Sequence, residues 1–144
     1  MSSSILVACP HCHGLNRLPE SRLAEGGNCG RCKKPLFAAH PVELGQASFA
    51  AHVERATLPV LVDFWAPWCG PCRTMAPAFE AAAARLEPQV RLAKVDTEAE
   101  QALAARFAIR SIPTLILFRD GRELARHSGA INTAALIDWT RSKL

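Results

Sequence analysis

Three Cys-x-x-Cys pairs, Cys9/Cys12, Cys29/Cys32 and Cys69/Cys72, constrain this chain more than any other feature. The first two pairs lie within the first 32 residues, and the third stands alone in a different context. Cys9-x2-Cys12-x16-Cys29-x2-Cys32 has the spacing of a four-thiolate zinc site. A Cys-x-x-Cys turn lets two sulfurs converge on one ion, and two such turns complete a tetrahedron. Pro10, Gly14, Gly30 and Pro35 supply turn-forming residues in and after the pairs. The expectation is one structural zinc ion held by Cys9, Cys12, Cys29 and Cys32. Iron accepts the same four thiolates, and two structural disulfides are the competing reading. His11 and His13 are alternative ligands, expected to face solvent beside a complete cysteine set.

With 144 residues, the chain has room for one ordinary domain and a small appendage. A composition of 49% hydrophobic and 21% charged residues fits a globular protein, not a disordered one. No apolar run approaches the ~20 residues of a membrane span, so no membrane partner is expected. The start, Met1 to Ala8, has no basic segment and only a short apolar stretch. A cleaved secretory signal is therefore not expected, and the cytoplasm, where thiols stay reduced, is the expected compartment. The net charge of +4 is uneven: residues 1–41 carry five Lys/Arg against two Glu, the rest twelve against eleven acids. Arg31, Lys33 and Lys34 beside the second pair compensate the negative charge of a metal tetrathiolate. No aromatic platform interleaves them, so nucleic acid is not an expected partner.

Residues 40–48, His-Pro-Val-Glu-Leu-Gly-Gln-Ala-Ser, read as a join. The expected units are a four-cysteine ribbon over residues 1–40 and a larger domain over 41–144. A segment as short as the first usually needs a metal or disulfides to hold a fold. Beyond the join, strand and helix alternate. Helices are expected over 48–56, 69–86, 98–107 and from an N-cap at Asn132 to near Lys143. Strands are expected at Val60–Trp65, Val90–Val95, Thr114–Arg119 and Glu123–Ser128, the last two joined by an Asp120-Gly121 hairpin turn. This order predicts an α/β fold, a central mixed sheet flanked by helices.

The third pair, in Trp68-Cys69-Gly70-Pro71-Cys72, follows a strand and opens a helix. A cysteine at a helix N-terminus meets unpaired backbone N–H groups and the positive end of the dipole, and both favour the nucleophilic thiolate. Cys72, one turn in, is close enough to bond Cys69. Pro71 is tolerated because the first helical turn needs no N–H from it. Cys69 is expected to be the accessible attacker and Cys72 the resolving thiol. Half of a second metal site is the competing reading, and no local second pair supports it.

The stretch Val62-Asp63-Phe64-Trp65-Ala66-Pro67-Trp68-Cys69-Gly70-Pro71-Cys72 resembles the active site of the thioredoxin family. Ile112-Pro113-Thr114, Asp120-Gly121 and Gly129-Ala130 match its substrate-loop proline, hairpin turn and last loop. The resemblance covers about residues 42–144. With the ribbon in front, the whole chain is similar to the zinc-containing second thioredoxins of bacteria. It implies a thioredoxin fold preceded by a small zinc ribbon, and a cytosolic protein-disulfide reductase recharged by an NADPH-dependent thioredoxin reductase. It implies no bound organic cofactor, and a monomer is expected.

Asp63 lies in an apolar strand, where desolvation raises a carboxyl's proton affinity. The resemblance places it beneath Cys72 as general base. Lys94 shares a strand face with Val90 and Leu92 and is the candidate partner of Asp63. The resemblance implies a cis bond before Pro113, and a substrate segment docked over Trp68, Gly70, Pro71, Ile112, Pro113, Gly129 and Ala130. His40, His52 and His127 have no evident partners in the sequence. The rival function is a redox-sensing or partner-binding ribbon with a subordinate thioredoxin domain; a disulfide oxidase or isomerase is disfavoured by the reductant-like Gly70-Pro71.

Overall fold

The computed structural model describes residues 3–144. Met1 and Ser2, at the head of the expected ribbon unit, lie outside the described residues. The ribbon opens with an antiparallel pair that period-two reading did not find, β1 (Ser4–Ala8) and β2 (Leu15–Pro19), followed by a 3-10 turn over Glu20–Glu25. Five-residue strands on a small hairpin carry too few alternations to stand out.

The larger unit holds β3 (Val42–Glu43), α1 (Gln46–Phe49, running on as a wider turn to Arg55), β4 (Val60–Trp65), α2 (Gly70–Leu86), β5 (Arg91–Asp96), α3 (Gln101–Arg106), β6 (Thr114–Arg119), β7 (Arg122–Ser128) and α4 (Thr133–Lys143). The five strands form one sheet in the order β3-β5-β4-β6-β7. β3, β5 and β4 run parallel, and β6 and β7 are antiparallel. This is the expected mixed sheet with helices on both faces. Alternation along β4 sorts the two cores. Val60, Val62 and Phe64 pack with Phe49, Val53 and Leu103 on the α1/α3 face. Leu61 packs with Met75, Phe79, Leu136 and Ile137 on the α2/α4 face. Asp63 therefore falls on the α2 face.

Element ends differ from expectation for local reasons. The first helix begins at Gln46, two residues before the expected start, because the Gly45 N–H donates to the Ser48 hydroxyl at 2.9 Å and closes the first turn there. Asp96 accepts from the N–H groups of Glu98 and Ala99, which holds a turn where the third helix was expected and delays it to Gln101. Asn132 does cap α4, accepting from the Ala135 N–H at 2.9 Å. Asp120 and Gly121 both have positive φ, as a tight two-residue hairpin turn requires.

The ribbon is packed onto the domain. The Thr57 N–H donates to the Leu6 carbonyl at 2.9 Å, and the Leu6 N–H donates to Thr57 Oγ1 at 2.8 Å. Ala8 packs with Ala51 and Ala56. At the centre is Arg91, only 1% exposed. Its Nη2 donates to the carbonyls of Ala8 at 2.9 Å and Leu36 at 2.8 Å, while Nη1 meets Glu87 Oε2 at 3.1 Å. Glu87 Oε1 accepts from the Ala39 N–H at 3.0 Å, and Phe37 lies under the guanidinium, 4.7 Å from ring centroid to Cζ.

Candidate redox centre and metal site

The two N-terminal turns are built alike. Cys9 N–H donates to Gly14 O at 2.9 Å and His13 N–H to Cys9 O at 2.9 Å; Cys29 N–H donates to Lys34 O at 2.8 Å and Lys33 N–H to Cys29 O at 2.9 Å. His13 and Lys33, each the residue after the second cysteine of its pair, both have positive φ. These matched turns bring the sulfurs of Cys9, Cys12, Cys29 and Cys32 within 4.8 Å of one another. Cys9 Sγ and Cys32 Sγ are 3.6 Å apart, as are Cys12 Sγ and Cys29 Sγ. The edge of a tetrahedron with Zn–S bonds of ~2.3 Å is about 3.8 Å, so the four sulfurs fit a tetrahedral metal. The N–H groups of His11 and Arg31 point at Cys9 Sγ and Cys29 Sγ, each at 3.3 Å, and Asn16 Nδ2 reaches Cys29 Sγ at 3.5 Å. At Cys29 these donors favour thiolate over thiol. The set supplies a metal site with zinc-ribbon geometry.

His13, expected to face solvent, needs correction. His11 faces solvent as expected, but His13 Nδ1 lies 3.0 Å from Nε2 of His52, whose burial pushes its pKa down to about 3. His40 Nδ1 lies 3.6 Å from Glu80 Oε1, and His127 packs on Trp139. Only folding brings these partners together, since none is near in sequence.

The third pair sits at the start of α2. Cys69 is its N-cap, and the Cys72 N–H points at Cys69 Sγ at 3.2 Å. The two cysteines are joined as a disulfide. In this oxidised form Cys69 is 4% exposed and Cys72 2%, so the accessibility expected of Cys69 is slight. Ala66, Trp65 and Ile112 pack around the pair. Cys69 Sγ lies 3.7 Å from the Ile112 carbonyl oxygen, and the Ile112–Pro113 bond is cis. Trp68 stands 65% exposed beside the pair, where Gly70 and Pro71 are also exposed; Ala130 is exposed and Pro113 is buried. Gly129, with φ +100°, is held to the proline loop by its N–H on Pro113 O at 2.9 Å.

Asp63 is 1% exposed and neither carboxylate oxygen has a hydrogen-bond partner. Burial raises its pKa to about 7, against the opposing pull of Lys94. Lys94 is its register partner on β5, as the shared strand face suggested. The contact is not the expected ion pair: among the described residues no nitrogen of Lys94 lies within 4.0 Å of a carboxylate oxygen, and its Nζ instead sits 4.2 Å above the Trp65 ring. Trp65 follows Asp63 on the same strand face. Sequence reading overlooked Arg91 and Glu87, which dock the ribbon, and Glu43, which flanks Lys94 on β3. A lone arginine between Val90 and Leu92 was the available signal for the first.

A vicinal dithiol pair at the first turn of a helix that follows a central strand, beside an exposed indole and a proline loop, defines a thiol–disulfide oxidoreductase acting on proteins. The thioredoxin family model matches residues 40–142, and the model for the N-terminal segment of thioredoxin 2, a zinc ribbon, matches residues 8–34. This chain belongs to the thioredoxin family. It is 45% identical to thioredoxin C-3 of Corynebacterium nephridii over 140 residues, spanning 97% of this chain and 96% of that one. It is 45% identical over 96 residues, 67% of this chain and 21% of the other, to a bifunctional thioredoxin reductase/thioredoxin of Mycobacterium leprae. Among solved structures, a mutant thioredoxin from Halobacterium salinarum superposes with a TM-score of 0.66 at 33% identity, over 74% of this chain and 93% of that one. Among the described residues, no helix is long and apolar enough to cross a membrane.

Proposed function

We propose that this chain is a cytosolic protein-disulfide reductase with a zinc-bound ribbon over residues 1–40 and a redox domain over 41–144. The carrying observation is the Cys69/Cys72 pair at the mouth of α2; the partnerless buried carboxyl of Asp63, on the strand face toward that helix, supports the base role. The Cys69 thiolate attacks one sulfur of a substrate disulfide, forming a mixed disulfide and releasing the other sulfur as a thiolate. Asp63 takes the Cys72 proton. The Cys72 thiolate then attacks Cys69 Sγ, and the second substrate sulfur leaves with its electron pair. Two electrons pass to the substrate, and the Cys69–Cys72 disulfide remains. A thioredoxin reductase drawing on NADPH restores the dithiol, a pairing supported by the M. leprae relative that joins both activities in its name.

An extended substrate segment lies across Trp68, Gly70, Pro71, Ile112, Pro113, Gly129 and Ala130, held by backbone hydrogen bonds. All of these groups come from one chain, which suits a monomer. The ribbon's four thiolates need a compartment that keeps thiols reduced, which supports the cytosol. Zinc is the ion best matched to four thiolates at tetrahedral spacing. Elemental analysis of protein expressed without added metal is expected to find one zinc per chain; iron with its charge-transfer colour would replace that assignment.

The activity is tested by insulin reduction with NADPH and a bacterial thioredoxin reductase; no turnover by the full chain would sink the reading. Asp63→Asn tests the base. Resolution of the mixed disulfide is expected to slow by about 100-fold at pH 7, at the low end of general-base contributions. The same variant is expected to gain stability at alkaline pH. The folded-state pKa is raised, so the wild type loses stability as pH rises from the ordinary carboxyl range to about 7, and the neutral amide removes that loss. A resolving rate unchanged between pH 6 and 8 would leave Asp63 structural.

A further inference from the structure

We propose that Glu43 is a positioning residue that sets the proton affinity of Asp63 through the lysine standing between them. The proposal rests on the general-base reading of Asp63 given above. Lys94 on β5 is in register with Glu43 on β3 and with Asp63 on β4. Register partners on parallel strands project to the same face, so the three side chains form an acid–base–acid row across adjacent strands. Strand spacing places the two acids' Cα atoms roughly 10 Å apart, with the lysine midway.

The row is asymmetric. Asp63 is 1% exposed, whereas Glu43 is exposed at the sheet edge. The Glu43 carboxyl is partly sheltered, but an ammonium drawn toward it keeps more of its hydration than one drawn to the fully buried Asp63. In the structure the lysine pairs with neither acid: Nζ rests on the Trp65 indole, and both Asp63 oxygens lack a partner, so small changes in either acid's charge can redirect the ammonium. Glu43 thus competes for the cation that would otherwise hold Asp63 ionised. The charge effects agree in sign. Lys94 lowers the pKa of Asp63 and Glu43 raises it, and Glu43 is itself raised, by desolvation first, against the opposing pull of Lys94.

Other elements around Asp63 bring little further charge. On β6 its register partner is Leu115. Beyond that, β7 sets His127 opposite Leu115, packed on Trp139. Asp96, at the end of β5, acts on Glu43. From α2 the nearby titratable groups are the thiols of Cys69 and Cys72 in the reduced form.

The test is the titration of Asp63 in the full-length dithiol form, followed by carboxyl carbon-13 NMR, in the wild type and in Glu43→Gln. The variant sits at an exposed edge position, so it is expected to fold. Its Asp63 midpoint should fall by about 0.3–1 pH unit at low ionic strength, and by less in high salt. The pH profile of the resolving step should move by the same amount, and Glu43→Asp should restore most of it. In a Lys94→Met background the shift caused by Glu43→Gln should shrink by at least about half, because the shared cation is gone. An unmoved midpoint in Glu43→Gln overturns the proposal. An undiminished shift in the Lys94→Met background overturns the route through lysine and leaves direct repulsion. Should the midpoint move while the rate profile stays put, the general-base reading fails and the coupling of Glu43 to Asp63 stands.

Discussion

Cys69→Ser is expected to reduce insulin-disulfide turnover to the uncatalysed background, while Cys72→Ser still attacks and then stalls as a mixed disulfide. The asymmetry follows from position. Cys69 is the N-cap of α2, where the Cys72 N–H points at its sulfur at 3.2 Å and the helix dipole stabilises negative charge. Cys72 lies inside the first turn and is the deeper of the two. Mass spectrometry of Cys72→Ser mixed with a disulfide substrate should therefore show a persistent adduct on Cys69. Rapid alkylation of the reduced wild type should label Cys69 first. Preferential labelling of Cys72, or an adduct on Cys72 in the Cys69→Ser variant, would reverse the assignment.

Arg91→Met should destabilise the whole protein by about 3–5 kcal/mol, the usual cost of leaving one partner of a buried ion pair alone. Arg91 and Glu87 side chains are only 2% and 3% exposed, and burial works against the charge on each: it lowers the arginine's pKa and raises the glutamate's. Removing the guanidinium leaves Glu87 charged and buried, and strips the Ala8 and Leu36 carbonyls of their donor. These carbonyls belong to the ribbon, so the loss falls on the docking of one unit to the other. The double variant Glu87→Gln/Arg91→Met should cost clearly less than the two single changes added together, because the pair is coupled. Urea denaturation with far-ultraviolet circular dichroism reads both. A single-variant loss below about 1 kcal/mol would mean that the alanine contacts and the Thr57–Leu6 hydrogen bonds hold the ribbon without Arg91.

Much of this was legible along the chain. The cysteine spacings announced two separate chemistries because local turn geometry decides them: two sulfurs three residues apart converge whatever the rest of the fold does. The strand at Val60–Trp65, the Asp120-Gly121 turn and the cap at Asn132 likewise depend on near neighbours, and all appear in the structure. Even the anomalous proton affinity of Asp63 was readable, since a carboxylate inside an apolar strand is desolvated in any sheet that buries both faces.

Other features have no local signature. The ribbon's hairpin was missed because its strands are short and half-exposed. Lys94 was placed on the right strand face, but whether its ammonium meets Asp63 or rests on Trp65 depends on which strand lies on its other side, and that strand is β3 with Glu43. His13 and His52 found each other across 39 residues, and Arg91 reached Ala8 and Leu36 across 83 and 55. The sequence by itself thus determined which cysteines pair, because each Cys-x-x-Cys brings its two sulfurs together within one turn. Tertiary structure alone decided the electrostatic surroundings of those atoms and the docking of the ribbon. Both arise from charged side chains that share a buried face only after strands distant in sequence are laid side by side.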